Sequence, residues 1–66
     1  QTGIMSVIFI DVSVGDFVLH PDRPDWGVGQ VQSVIGARIT VNFEHEGKKL
    51  INAELINLEP VADKID

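Results

Sequence analysis

The chain has 66 residues, with ten Asp and Glu against five Lys and Arg and a formal net charge of −5, so it has room for one domain with a small core. It has no cysteine, which excludes a disulfide framework and a thiolate metal site and favours a cytoplasmic protein. An apolar fraction of 44% separates it from disordered chains, and the acidic balance disfavours duplex nucleic acid and anionic membrane, which are held by Lys and Arg.

The stretch from Ile4 to Val14 is rich in β-formers, with Val7-Ile8-Phe9-Ile10 followed by Val12 and Val14. It is too short to span a bilayer, which takes about 20 apolar residues. It also lacks the basic start and small-residue site of a signal peptide. Residues 1–14 therefore read as a leader or an extra edge strand, and a charge-free β-rich window of this kind also invites pairing with a second copy. Gln1 to Ile4 precede Met5, and their origin is left open.

A barrel is expected over residues 15–61. Gly15-Asp16 marks a turn, and Phe17-Val18-Leu19-His20 reads as a short strand with Phe17 in the core. Pro21-Asp22-Arg23-Pro24-Asp25 is a loop, since neither proline can donate a ladder hydrogen bond. Gly27 and Gly29 suggest a bend at the start of a strand running from Gln30 to Ile35. The alternation within that strand slips at Ser33-Val34. Ile35-Gly36-Ala37-Arg38 reads as a two-residue hairpin with glycine at the first central position. Ile39, Val41 and Phe43 alternate with Arg38, Thr40 and Asn42, which predicts one buried and one wet face. Glu44-His45-Glu46-Gly47 is a second hairpin loop, and Lys48 to Ile51 returns as a strand. Leu55 and Leu58 are spaced for a 3₁₀ turn, Glu59-Pro60-Val61 forms a last short strand, and residues 62–66 form a polar tail. Together these elements predict an all-β fold: a small SH3-like or Tudor-like barrel of about five antiparallel strands with a 3₁₀ turn before the last.

The Asp22–Trp26 loop carries the candidate partner-binding residues, Asp22, Arg23, Asp25 and Trp26. Tryptophan and arginine are the residues most often found at binding hot spots, and loops on small rigid barrels commonly carry function. Trp26 also reads as a core anchor beneath its loop. Arg38, Lys48 and Lys49 are candidates for nucleic-acid contact, with Trp26 as the one aromatic near a basic residue. His20 and His45 with Asp22, Glu44 and Glu46 make a poor metal site, because neighbouring strand residues point apart and a structural site wants about four converging ligands. His20 reads instead as a half-buried ring hydrogen-bonded to the loop backbone. Ser6, Ser13 and Ser33 stand in no nucleophile-elbow pattern, and so small a domain has little stability to offer a deep polar cleft. The chain is therefore read as no enzyme, with no cofactor and no metal.

The string His20-Pro21…Pro24-Asp25-Trp26-Gly27-x-Gly29-Gln30-Val31-Gln32-Ser33, continued by Ile35-Gly36 and Thr40-Val41-Asn42-Phe43, resembles a family of short bacterial proteins that share it, a domain-of-unknown-function family. More distantly it is similar to the Tudor-like domain at the C-terminus of UvrD-type helicases. It is also similar to the RNA-polymerase-interaction domains of CarD and of the transcription-repair coupling factor. Those domains keep two residues between the His-Pro pair and Gly-x-Gly where this chain has five, Asp22 to Trp26. The resemblance implies a non-catalytic protein-binding module in the bacterial cytoplasm that contacts RNA polymerase or a transcription or repair factor. The alternatives are a weak nucleic-acid-binding domain and a homo-oligomerising structural protein, with the chain itself a monomer or weak homodimer.

Overall fold

The computed structural model describes residues 12–61. Five strands, β1 (Phe17–Leu19), β2 (Gly29–Ile35), β3 (Arg38–Phe43), β4 (Gly47–Asn52) and β5 (Glu59–Pro60), form one sheet in the order β4-β3-β2-β1-β5. Every pairing is antiparallel. The sheet is open: β4 and β5 are its outer strands, and no ladder among the described residues joins them into a closed barrel. The N-terminal strand expected from Ile4 lies largely outside the described residues, as does the polar tail. Val12 to Val14 form no strand and lead into the Gly15 turn.

Period-two patterning places the core. Ile39, Val41 and Phe43 on β3 are buried, while Asn42 is exposed and Thr40 is partly so. Opposite them, Val31 pairs with Val41 and Ile51 with Ile39. Val18 and Leu58 complete the buried set. The irregularity in β2 falls between Val31 and Ser33, one residue earlier than its sequence signal. It has a definite use, because strict alternation from Val31 would turn Val34 outward. The extra residue instead pairs Val34 with Ile39 and packs it against the core, as a β-bulge does. The expected two-residue turn joins Ile35 to Arg38, with Gly36 at φ +58°.

Two expectations are corrected. Phe17 is not in the core; it is 46% exposed. Val18 is the inward residue of β1, so alternation turns Phe17 to the solvent face, beside Gln30. The 3₁₀ helix of the described residues lies at Pro24–Trp26, not before β5. After β4 the chain makes a different turn, organised by Asn52. Its carbonyl accepts from the Leu55 and Ile56 amides, at 3.0 and 2.9 Å, and its side-chain oxygen accepts from the Glu54 amide at 2.9 Å. A side chain that mimics a backbone acceptor in this way competes with a regular 3₁₀ ladder. Leu55 consequently points to solvent and Leu58 into the core.

Candidate functional site

The segment between β1 and β2 is built turn by turn from its own backbone. His20 is the one buried polar residue among those described. Its Nδ1 accepts the Asp22 amide at 3.1 Å, and its carbonyl accepts the Arg23 amide at 3.2 Å. Sequence reasoning expected such a ring, half-buried; the structure encloses it further. The acceptor role of Nδ1 leaves the ring proton of the neutral imidazole on Nε2. Pro24 opens the 3₁₀ helix at the position where a missing N–H costs nothing. The Trp26 amide then donates to the Arg23 carbonyl at 3.0 Å and the Gly27 amide to the Pro24 carbonyl at 3.2 Å.

The hairpin turn between β3 and β4 clasps this segment from the other side. The His45 amide donates to the Trp26 carbonyl at 3.0 Å, and the Glu44 amide to the Val28 carbonyl at 2.9 Å. The Glu44 carboxylate returns the bond by accepting the Val28 amide at 2.9 Å. Glu44 is therefore a positioning residue; sequence reasoning had placed it in the hairpin loop and weighed it as one member of a poor metal site. The signal for this clasp lay in the register: once Gly29 pairs with Phe43, the next residues outward along the hairpin are Val28 and Glu44.

Trp26 sits where the two loops meet. Its ring packs on Phe43, with centroids 5.1 Å apart, and meets the His20 ring edge-on at 5.0 Å. The residue is only partly buried, so it is both a core anchor and a surface. Two cations approach the ring, the Arg23 guanidinium carbon at 4.9 Å from its centroid and the Lys49 ammonium at 5.4 Å. Each is tied to a carboxylate: Arg23 to Asp25 at 3.1 Å and Lys49 to Glu46 at 3.2 Å. The hydrogen bond from Arg23 holds the Asp25 carboxyl below its ordinary value, and the same bond holds the Arg23 guanidinium above its own. The Asp25 contribution is therefore present above the ordinary carboxylate range and is lost as pH falls below it. Both side chains are half exposed or more, so the pair orders the loop rather than stabilising the fold.

The structure brings Arg23, Asp25 and Trp26 together and adds Lys49, which the sequence had grouped with Arg38 and Lys48. Those three basic residues do not form one patch. Lys48 pairs with outward Asn42, and Lys49 with inward Val41, so their side chains leave opposite faces of β4. Arg38 lies at the far end of β3 from Lys48, paired with Asn52. Asp22 is exposed on the loop, and its backbone amide holds the His20 ring. Among the described residues, no group of three His, Asp or Glu side chains is arranged to hold a metal ion, and no helix is long and apolar enough to cross a membrane.

Residues 12–61 match the model of a family described as Protein of unknown function (DUF3553). No curated protein and no solved structure matches the chain. The matched span runs from Val12 through β5, taking in the whole sheet and both loops that hold Trp26, and the chain belongs to the DUF3553 family.

Proposed function

We propose that the chain is a small, non-catalytic protein-binding module of the SH3-like or Tudor-like kind. It works in the bacterial cytoplasm, with RNA polymerase or a transcription or repair factor as its partner. The observation that carries this reading is Trp26: a partly exposed indole held from beneath by Phe43 and His20, on a loop pinned by its own turns and by the neighbouring hairpin. A surface fixed before encounter loses little entropy on binding, and a rigid aromatic flanked by arginine is the usual composition of a binding hot spot. β4 is an outer strand, and Lys49 on that strand reaches Trp26. A partner segment added along the edge that β4 presents among the described residues would pair with backbone groups there and lie beside the indole. The distant likeness to polymerase-interaction domains supports the choice of partner.

The test is an NMR titration of labelled protein with core RNA polymerase and, separately, with a transcription-repair coupling factor. Amide signals of Asp22, Arg23, Asp25 and Trp26 should weaken first. Arg23→Ala should weaken binding while changing stability by less than about 0.5 kcal/mol, as an exposed substitution does. Trp26→Ala should also weaken binding, and its result is to be read beside a melting curve. Perturbation confined to Lys48–Ile51, with residues 22–26 untouched, would reduce the loop to a structural connection.

The nucleic-acid alternative has less to stand on, because Arg38, Lys48 and Lys49 point to three different places on the sheet. Short DNA and RNA titrated at physiological salt should give no saturation at low micromolar protein. Saturable binding that falls steeply with salt would restore that alternative.

A further inference from the structure

We propose that the Trp26 face recognises an arginine-bearing basic segment, and that in the free protein Lys49 occupies the place of the partner's cation. The proposal rests on the reading of the Trp26 loop as a partner surface and names the chemistry of that partner.

Two cations share one indole, and they are held differently. Arg23 belongs to the loop that carries Trp26 and is fixed two residues away by a two-pronged contact with Asp25, at 3.1 and 3.3 Å. Lys49 comes from β4, an outer strand among the described residues, and is tied to Glu46 by one contact at 3.2 Å. A lysine ammonium on a flexible stem is the weaker ligand for both groups it touches. A guanidinium stacks on an indole and takes a carboxylate with two parallel bonds, and a lysine does neither. An incoming arginine can therefore displace Lys49 and take over Trp26 and Glu46 together.

The field around the ring favours the same occupant. Among the described residues, Asp22, Asp25, Glu44 and Glu46 stand on the two loops, against Arg23 and Lys49 at the indole. The whole chain carries a net charge of −5. A cationic segment is drawn toward such a surface and an anionic one repelled. The two cations thus cap an aromatic face whose surroundings are acidic, and removing the capping lysine should improve the site.

That sign decides the test. Trp26 is the chain's single tryptophan, so its emission reports on this site alone. The protein is titrated with an arginine-glycine octapeptide, a glutamate-glycine octapeptide and a thymidine oligonucleotide. The arginine peptide should give a saturable, salt-weakened change in emission. Lys49→Met, which keeps the apolar stem and removes the charge, should tighten that binding about threefold, the scale of one exposed cation–π contact. Glu46→Gln should weaken it by a similar factor. Emission of each variant without peptide, together with its melting curve, verifies that the fold is intact. Unchanged or weaker arginine-peptide binding in Lys49→Met would overturn the proposal. A response to the glutamate peptide or the oligonucleotide instead would overturn the chemistry while leaving Trp26 as the binding surface. Silence toward all three probes would overturn the proposal, while the polymerase titration tests the surface reading on its own.

Discussion

Phe43→Ala is expected to leave the domain largely unfolded at room temperature. The side chain is 1% exposed, and truncating a buried phenylalanine costs about 3–5 kcal/mol. A domain of this size holds a net stability of about 3–5 kcal/mol, so the loss consumes most of it. The position is unusually connected. Phe43 lies opposite Gly29 in the ladder, its ring carries the Trp26 indole, and the His20 ring is 6.4 Å away. The cavity cannot easily close, because the residues above it are fixed by backbone hydrogen bonds in two loops. Urea unfolding followed by Trp26 emission should show the midpoint collapse for Phe43→Ala. Phe43→Leu, which keeps most of the volume, should retain a cooperative transition. A cooperative Phe43→Ala variant with a near-normal midpoint would mean that β3 does not supply the centre of the core.

What the sequence made legible is what depends on neighbours within a strand or a turn. Ile39, Val41 and Phe43 were readable as an inward face because a half-buried strand imposes period two, and β3 is regular throughout. The slip at Ser33-Val34 was visible as broken alternation, although its cause, the return of Val34 to the core, needed the register with β3. Phe17 was misplaced because hydrophobicity was given more weight than alternation, although Val18 can face inward only if Phe17 faces outward. The turn after β4 was misread because Leu55 and Leu58 were taken as its determinants, whereas Asn52 organises it. Grouping Lys48 with Lys49 as nucleic-acid candidates overlooked a rule already in hand, that adjacent strand residues point apart. Lys49 over Trp26 lay beyond sequence reasoning. It joins residues 23 positions apart through the clasp of two loops, and such contacts follow from packing rather than from local pattern.

Gly29→Ala should destabilise the domain by about 1–3 kcal/mol, the cost of overpacking a close-packed site. The usual expectation has the opposite sign. Glycine inside a strand loses more freedom on folding than alanine does, so the exchange commonly stabilises by roughly 0.5–1 kcal/mol. Here sterics decide. A Cβ built on Gly29 would lie 2.7 and 2.8 Å from Cδ1 and Cε1 of Phe43 and would also press on the Val41 Cγ1 methyl. Phe43 has little room to retreat, since Trp26 and His20 stand beside its ring. Glycine at this point is thus the counterpart of the Val41 methyl and the Phe43 ring, a gap in β2 into which both pack across the ladder. The argument is testable as a coupling. Phe43→Leu removes the Cε1 edge of the ring and leaves a branched side chain that can turn away from the new methyl, so the double variant should lose less stability than the two single changes added together. The difference should exceed about 0.5 kcal/mol, the level that separates touching residues from independent ones. Urea midpoints of the wild type, the two single variants and the double variant give the cycle directly. Strict additivity would show that Gly29 and Phe43 do not share this space.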